Sequence, residues 1–360
     1  MGSIKVAIAG LGNCASSLVQ GIYYYKGVTG KEGRVIGLMH PSFGGYLCRD
    51  IEFVAAFEVN AGKIGKDISE AIFVQPNVVI KFAEVPKLGV EVLPAPILDG
   101  VADHMKGSFD VYDTKDMKPV DVAEELRKAG AEILINFLPV GSAEASRYYA
   151  QAALDAGCGF INCIPEFIVS DSGWQEKFRK AGLPMAGDDI KSQVGATILH
   201  RVIAQLLSDR GVEIDETYQL NIGGNTDFEN MLAEHRLKSK RISKTEAVTS
   251  ILDYPVPTRI GPSDYVPFLN DTKVCYIHAQ GKKWGGMPIS VALKLSVEDS
   301  PNSAGVVADV IRAMKLALDR GVSGPLLSVS AYSFKHPPEQ IEDSIAKRYV
   351  EEFIQGERER

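Results

Sequence analysis

The segment IKVAIAGLGNCASSLVQGIYYY, beginning at Ile4, constrains the fold more than any other stretch of this chain. Residues 6–9 are an unbroken apolar run, Gly10 and Gly12 permit a tight turn, and Ala15 is the small third position. Strand, glycine turn and helix in that order make the G-x-G-x-x-A variant of the dinucleotide fingerprint. The glycines let backbone N–H groups approach a pyrophosphate at the helix N-terminus.

The next strand, IEFVAAFEVN, ends in Glu58, the natural partner for a ribose 2′-hydroxyl and a repellent for a 2′-phosphate, which favours NAD over NADP. Glu58 comes 46 residues after Gly12, where about 20 is usual. A loop over residues 27–49 is therefore inserted, and Glu58 as a plain surface acid stays open. Downstream, AEILINFLP opens into a turn at Pro139 and Ser142, a helix follows over 143–156, GCGFINCIP and LPMAGDD read as short strands, and 194–207 is apolar at helical spacing. Strand alternating with helix argues for an α/β, Rossmann-like, doubly wound parallel sheet. After Arg210 the texture changes. TYQLNIGGN, KVCYIHAQGKKWG and PISVALKLSVED read as longer strands of a mixed or antiparallel sheet, interrupted by a basic helix near residues 230–240, before a helix over 304–318. We expect residues 1–193 plus 303–360 to form the nucleotide domain, and 194–302 an inserted α+β catalytic and oligomerisation domain.

A chain of 360 residues, 45% hydrophobic and 24% charged, is large enough for that arrangement. Net charge of −7 argues against general nucleic-acid binding. No apolar run approaches the ~20 residues of a membrane span. The first strand begins by Ile4, so no signal peptide is expected. The five cysteines, Cys14, Cys48, Cys158, Cys163 and Cys275, include no CxxC pair and fit reduced thiols in a cytoplasmic protein. Cys14 lies in the glycine loop, where a small packing residue is the expected role. The six histidines, His40, His104, His200, His235, His278 and His336, show no metal-ligand spacing.

The chemistry-bearing residues fall in short polar clusters. In HRLKSKRISKTEAV, Lys240 and Lys244 stand one helical turn apart, with Lys238 and Arg241 adding charge. Like charges at that spacing repel mildly. A solvated helix face is one reading, and a receptor for an anion such as phosphate is the other. In GDDIKSQVGAT, Asp188, Asp189, Lys191 and Ser192 lie where a strand gives way to a helix; Ser192 also suits an N-cap. GGNTDF offers Asn225 and Asp227 to sugar hydroxyls, or an Asx cap. Asp299 precedes a helix that Ser300 or Asn302 would cap, while Lys273, near Asp271, and Lys335, before a His-Pro-Pro turn, each read alone as surface lysines.

Together, VAIAGLGNCASSLVQG, FVAAFEVN, LPVGS, GDDIKSQVGATILHR, NIGGNTDF, LKSKRISKT, DTK, VEDSPNSAGV and AYSFKHPPEQ closely resemble the myo-inositol-1-phosphate synthase family in its shorter prokaryotic form. The resemblance implies an NAD-dependent isomerising cyclisation of D-glucose 6-phosphate to 1L-myo-inositol 1-phosphate. C5 is oxidised, the ketone acidifies C6, an aldol closure joins C6 to C1, and re-reduction leaves no net redox change. It implies Lys240 at the O5 proton and Lys273 and Lys335 at developing oxyanions. Lys244 with the Ser192 turn would take the phosphate. Asp189, Asn225, Asp227, Asp271 and Asp299 would orient hydroxyls and lysines, with Lys191 also on the substrate. The cofactor is expected against Gly10, Gly12, Asn13, Cys14, Ala15, Glu58, Pro139, Ser142, Asp188 and Asp189. A divalent or monovalent cation is left open. Apolar faces on the inserted strands, too many for a domain of about a hundred residues to cover, point with the resemblance to a D2-type homotetramer. The rival readings are an ordinary NAD-dependent dehydrogenase, which would accumulate NADH, and a non-catalytic NAD-binding sensor, which would not need four spaced lysines.

Overall fold

Four consecutive residues of the first strand, Val6, Ala7, Ile8 and Ala9, are fully buried, as the centre of a parallel sheet covered on both faces requires. The computed structural model describes residues 2–233, 236 and 238–360; His235 and the side chain of Lys238 lie outside the described set. In chain order the elements begin with β1 (Ile4–Ala9), α1 (Asn13–Tyr24), β2 (Ile51–Glu58), α2 (Ile68–Ala71), β3 (Val92–Pro94) and α3 (Val122–Ala129). Next come β4 (Ile133–Asn136), α4 (Ala143–Ala156), β5 (Gly159–Asn162), α5 (Ser172–Lys180), β6 (Pro184–Ala186) and α6 (Ala196–Asp209). The second part runs β7 (Glu213–Gly223), α7 (Thr226–Asn230), α8 (Lys238–Thr249), β8 (Thr258–Tyr265), β9 (Thr272–Lys282) and β10 (Pro288–Glu298). It closes with α9 (Asp299–Asp319), β11 (Gly324–Pro325), α10 (Leu327–Ser333) and α11 (Asp343–Gln355).

The large sheet has seven strands in the order β11-β6-β5-β4-β1-β2-β3, all parallel. Its order reverses between β1 and β4, and ligands bind in the crevice outside the carboxyl ends of strands at such a switch point. One face packs on α1 and α9 through Leu18, Val19, Val307 and Ile311. The other packs on α3, α4 and α5 through Leu126, Tyr149 and Phe178. The expected insertion after α1 is present, and the fully buried Arg312 of α9 fastens it by donating to the carbonyls of His40 and Tyr46.

The second sheet is mixed, as expected, in the order β10-β9-β7-β8. β9 runs antiparallel to β7 and β10, while β8 runs parallel to β7. One face is covered by α6, whose Ala204 and Leu207 meet Ile214 and Ala279. Tyr218, Leu220 and Tyr276 stay partly exposed. Two local expectations are corrected. The basic helix starts at Lys238, because a separate short helix, α7, precedes it, capped by Asn225, whose Oδ1 accepts from the N–H groups of Asp227 and Phe228. Ser192 caps nothing: α6 starts four residues later from Gly195, without a side-chain cap. Among the described residues, no helix is long and apolar enough to cross a membrane.

Candidate functional site

The glycine turn forms the floor of a cleft at the switch point. Gly10 adopts φ +87°, and a Cβ there would lie 3.0 Å from the carbonyl oxygen of Phe137, so glycine is required. A Cβ on Gly12 would meet nothing within 4 Å, so that position opens the cleft. No side chain caps α1, leaving its N-terminal N–H groups for a bound anion. Asn13, Cys14, Pro139 and Glu58 line the same cleft.

The lysines close its other end. Lys240 and Lys244 lie on α8, only 6% and 5% exposed, which rules out the solvated helix face. Lys240 Nζ is 2.6 Å from Asp227 Oδ2. Lys273, at the start of β9, is 3.0 Å from Asp299 Oδ1. Lys335, just beyond α10, is 2.7 Å from Asp189 Oδ1. All seven side chains line the cleft, with Ser192 and Asn225 beside them. Burial opposes the charge on Lys273, but Asp299 outweighs it and holds the ammonium above the usual lysine range. Burial likewise opposes ionisation of Asp299 and Asp189, and the adjacent lysines outweigh it, keeping both carboxyls below their usual value.

Lys244 differs. It makes no ion pair among the described residues, and burial together with Lys240, Lys273 and Lys335 pushes its pKa well below the ordinary value. Three lysine–carboxylate pairs around a fourth lysine that has no ion pair of its own among the described residues make a receptor for an anion that brings its own charge.

The family is legible at this point. Residues 195–300 match the model of the myo-inositol-1-phosphate synthase family. Over 360 residues the chain is 51% identical to the inositol-3-phosphate synthase of Corynebacterium glutamicum, covering 98% of each. It is 52% identical to that of Mycobacterium tuberculosis, covering 98% of this chain and 96% of the relative. A solved structure titled Ari2 superposes with a TM-score of 0.79 at 32% identity, covering 98% of this chain and 99% of that one. The chain belongs to the myo-inositol-1-phosphate synthase family.

In this synthase several residues expected at the site are turned elsewhere. Lys191 donates to the Ala331 carbonyl and to Asp343, and burial pushes its pKa down to about 8. Asp188 is buried away from the cleft; its carboxylate accepts from the backbone of Ile168, Val169 and Ser170 and from the Asn162 amide. Ser142 turns its hydroxyl onto the Pro139 carbonyl at 2.6 Å. Ala15 packs in the core behind the turn. Asp271 touches none of the four lysines: it accepts from Asn225 Nδ2 at 3.0 Å and from the N–H and hydroxyl of Ser300, and burial pushes its carboxyl up to about 6. It stands one layer behind the cleft.

Glu58 lines the cleft but is already engaged. It accepts from Leu11 N–H at 2.8 Å and from the N–H groups of Val59 and Asn60, with Lys63 3.7 Å away. The acid that would meet a ribose therefore also staples the glycine turn to β2. Burial drives the Cys14 thiol up to about 12, in keeping with a packing role.

Some of the machinery was not foreseen. Buried Lys63 and Asn77 both donate to the Leu11 carbonyl, and no motif announces them. Ile97, Val101, Met105 and Phe109 supply an apolar wall. Ser243, fully buried, donates to Asp189 at 2.6 Å; its place between the two lysines of SKRISKT was the available signal. Among the described residues no cluster of three or more His, Cys, Asp or Glu could hold a metal ion.

Proposed function

We propose that this synthase converts D-glucose 6-phosphate to 1L-myo-inositol 1-phosphate with NAD as an internally recycled cofactor. The observation that carries the reading is the ring of Lys240, Lys273 and Lys335, each held by its own carboxylate, in one cleft with the glycine turn. A plain dehydrogenase needs one base at one carbon. Cyclisation needs positive charge at two oxygens in turn, O5 and O1, plus a phosphate grip.

The glycine turn and uncapped α1 fit a pyrophosphate. NAD supplies the hydride acceptor at C5 and the donor for its return. Lys240, oriented by Asp227, moves the proton at O5. Lys273 and Lys335, positioned by Asp299 and Asp189, stabilise negative charge on the C5 carbonyl oxygen during enolisation at C6, and on O1 as C6 closes on C1. Lys244, with the Ser192 turn beside it, takes the phosphate, whose two negative charges restore the proton that burial disfavours. Asn225, held by Asp271, orients a hydroxyl. Residues 194–302 act as the catalytic and oligomerisation unit on a nucleotide-binding body of 1–193 and 303–360. The partly exposed Tyr218, Leu220 and Tyr276 support assembly into a homotetramer; light scattering would show four chains, and a stable monomer at micromolar concentration would defeat that part.

The test is incubation with D-glucose 6-phosphate and NAD, followed by NMR of the phosphorylated product. Conversion to a cyclic inositol phosphate is expected. Unchanged substrate, or an oxidised sugar phosphate, would overturn the reading.

A further inference from the structure

Asp189 stands at the crossing of two lysine-bearing segments. Its main chain is held at φ +62°, a region that residues other than glycine seldom occupy. Its N–H donates to the Ile164 carbonyl at 3.1 Å, and its own carbonyl accepts from Lys335 N–H at 2.7 Å. The carboxylate is divided: Oδ1 takes Lys335 Nζ at 2.7 Å and Oδ2 takes the Ser243 hydroxyl at 2.6 Å.

Ser243 lies on α8 three residues after Lys240, so it shares that lysine's helix face, and it is next in the chain to Lys244. Ser243 is fully buried, and its hydroxyl donates to Asp189 and to no other group among the described residues. Lys240 is close enough to act on the Asp189 carboxyl, and is itself held by Asp227. A carboxylate between two ammonium groups can be shared between them. By occupying Oδ2, the Ser243 hydroxyl keeps Asp189 committed to Lys335 and leaves Lys240 to Asp227.

We propose that Ser243 is a positioning residue for cyclisation. It locks Asp189 onto Lys335 and thereby sets the register of Lys335 against the two lysines of α8. The inference rests on the function proposed above and adds a residue outside the lysine and carboxylate set. Ser243 would touch neither substrate nor cofactor, so its loss acts on catalysis through Lys335 and leaves both binding sites standing.

Two substitutions separate hydrogen bonding from packing. Ser243→Ala removes the donor and one atom; Ser243→Cys keeps the volume and leaves a weak donor. Both are expected to lower kcat for inositol phosphate formation by about tenfold or more, with KM for glucose 6-phosphate and NAD binding near wild-type. The acidic limb of kcat should move to higher pH, because the Asp189 carboxylate loses a donor that favours its ionised form. In an Asp189→Asn background, Ser243→Ala should add less than about twofold, since residues acting through one contact are not additive. Near-wild-type kcat in both variants would overturn the proposal. So would a normal Ser243→Cys beside an impaired Ser243→Ala, which means packing, or an undiminished effect in the Asp189→Asn background. Wild-type protein that forms no inositol phosphate would instead sink the function on which the proposal rests.

Discussion

Lys240 and Lys244 show how the same residue type meets different surroundings one turn apart. Lys240 has Asp227 at 2.6 Å; at Lys244 burial and three other lysines outweigh the pull of Asp189 and push it well below its ordinary pKa. Lys240→Ala is therefore expected to lower kcat by about two orders of magnitude or more while NAD binding, followed by titration, stays near normal. Near-wild-type turnover would remove Lys240 from the mechanism. Lys244→Met tests the other lysine. A lysine whose folded pKa lies below its unfolded one binds fewer protons when folded, so it costs stability at every pH below the unfolded value. The variant should thus melt higher than wild-type near neutral pH, by roughly 2 °C or more, and the gap should close as pH rises toward the ordinary lysine value of 10.5. KM for glucose 6-phosphate should rise steeply in the same variant. A lower melting point with unchanged KM would contradict the phosphate role. The lysines themselves were legible in the sequence. Their pairing was not, because it depends on β9, α7 and the approach to α11 meeting α8 in space. Lys191 misled for the same reason: nothing in GDDIKSQ says that its side chain leaves the cleft for Asp343.

The glycine turn shows the same contrast at the scale of an element. β1, the turn and α1 were legible because each signal is local: an apolar run, two glycines and an apolar helix face. Gly10→Ala forces a Cβ into positive φ and against the Phe137 carbonyl. It should cost about 1–3 kcal/mol of stability, read in denaturant titration, and abolish NAD binding. Gly12→Ala places its methyl in open cleft and should weaken NAD binding with little change in stability. Equal loss of stability in the two variants would contradict this account of the turn. Elements set by long-range pairing were not legible. β8 carries Gly261 and Pro262, which argue against a strand, yet it holds as the edge of the second sheet beside β7. β11 has only two residues, too few for any periodicity, and exists because β6 offers it an edge. α7 was hidden by its length; only the Asn225 cap marks its start.

For the molecule as a whole, the parallel-sheet body brings the glycine turn with Asp189 and Lys335, and the second sheet with α8 brings Lys240, Lys244 and Lys273. Lys240, Lys244 and Lys273 lie within the stretch matched to the family model, whereas Gly10, Gly12, Asp189 and Lys335 lie outside it. A fold that joins them in one cleft can oxidise a carbon, close a ring and return the same hydride without releasing the intermediate. Glucose 6-phosphate carrying deuterium at C5 tests that claim most directly. With unlabelled NAD and excess substrate, the account predicts that the inositol phosphate keeps the deuterium on the carbon derived from C5, while absorbance at 340 nm does not grow with turnover. Loss of the label from the product, or NADH accumulating in step with substrate consumed, would contradict it.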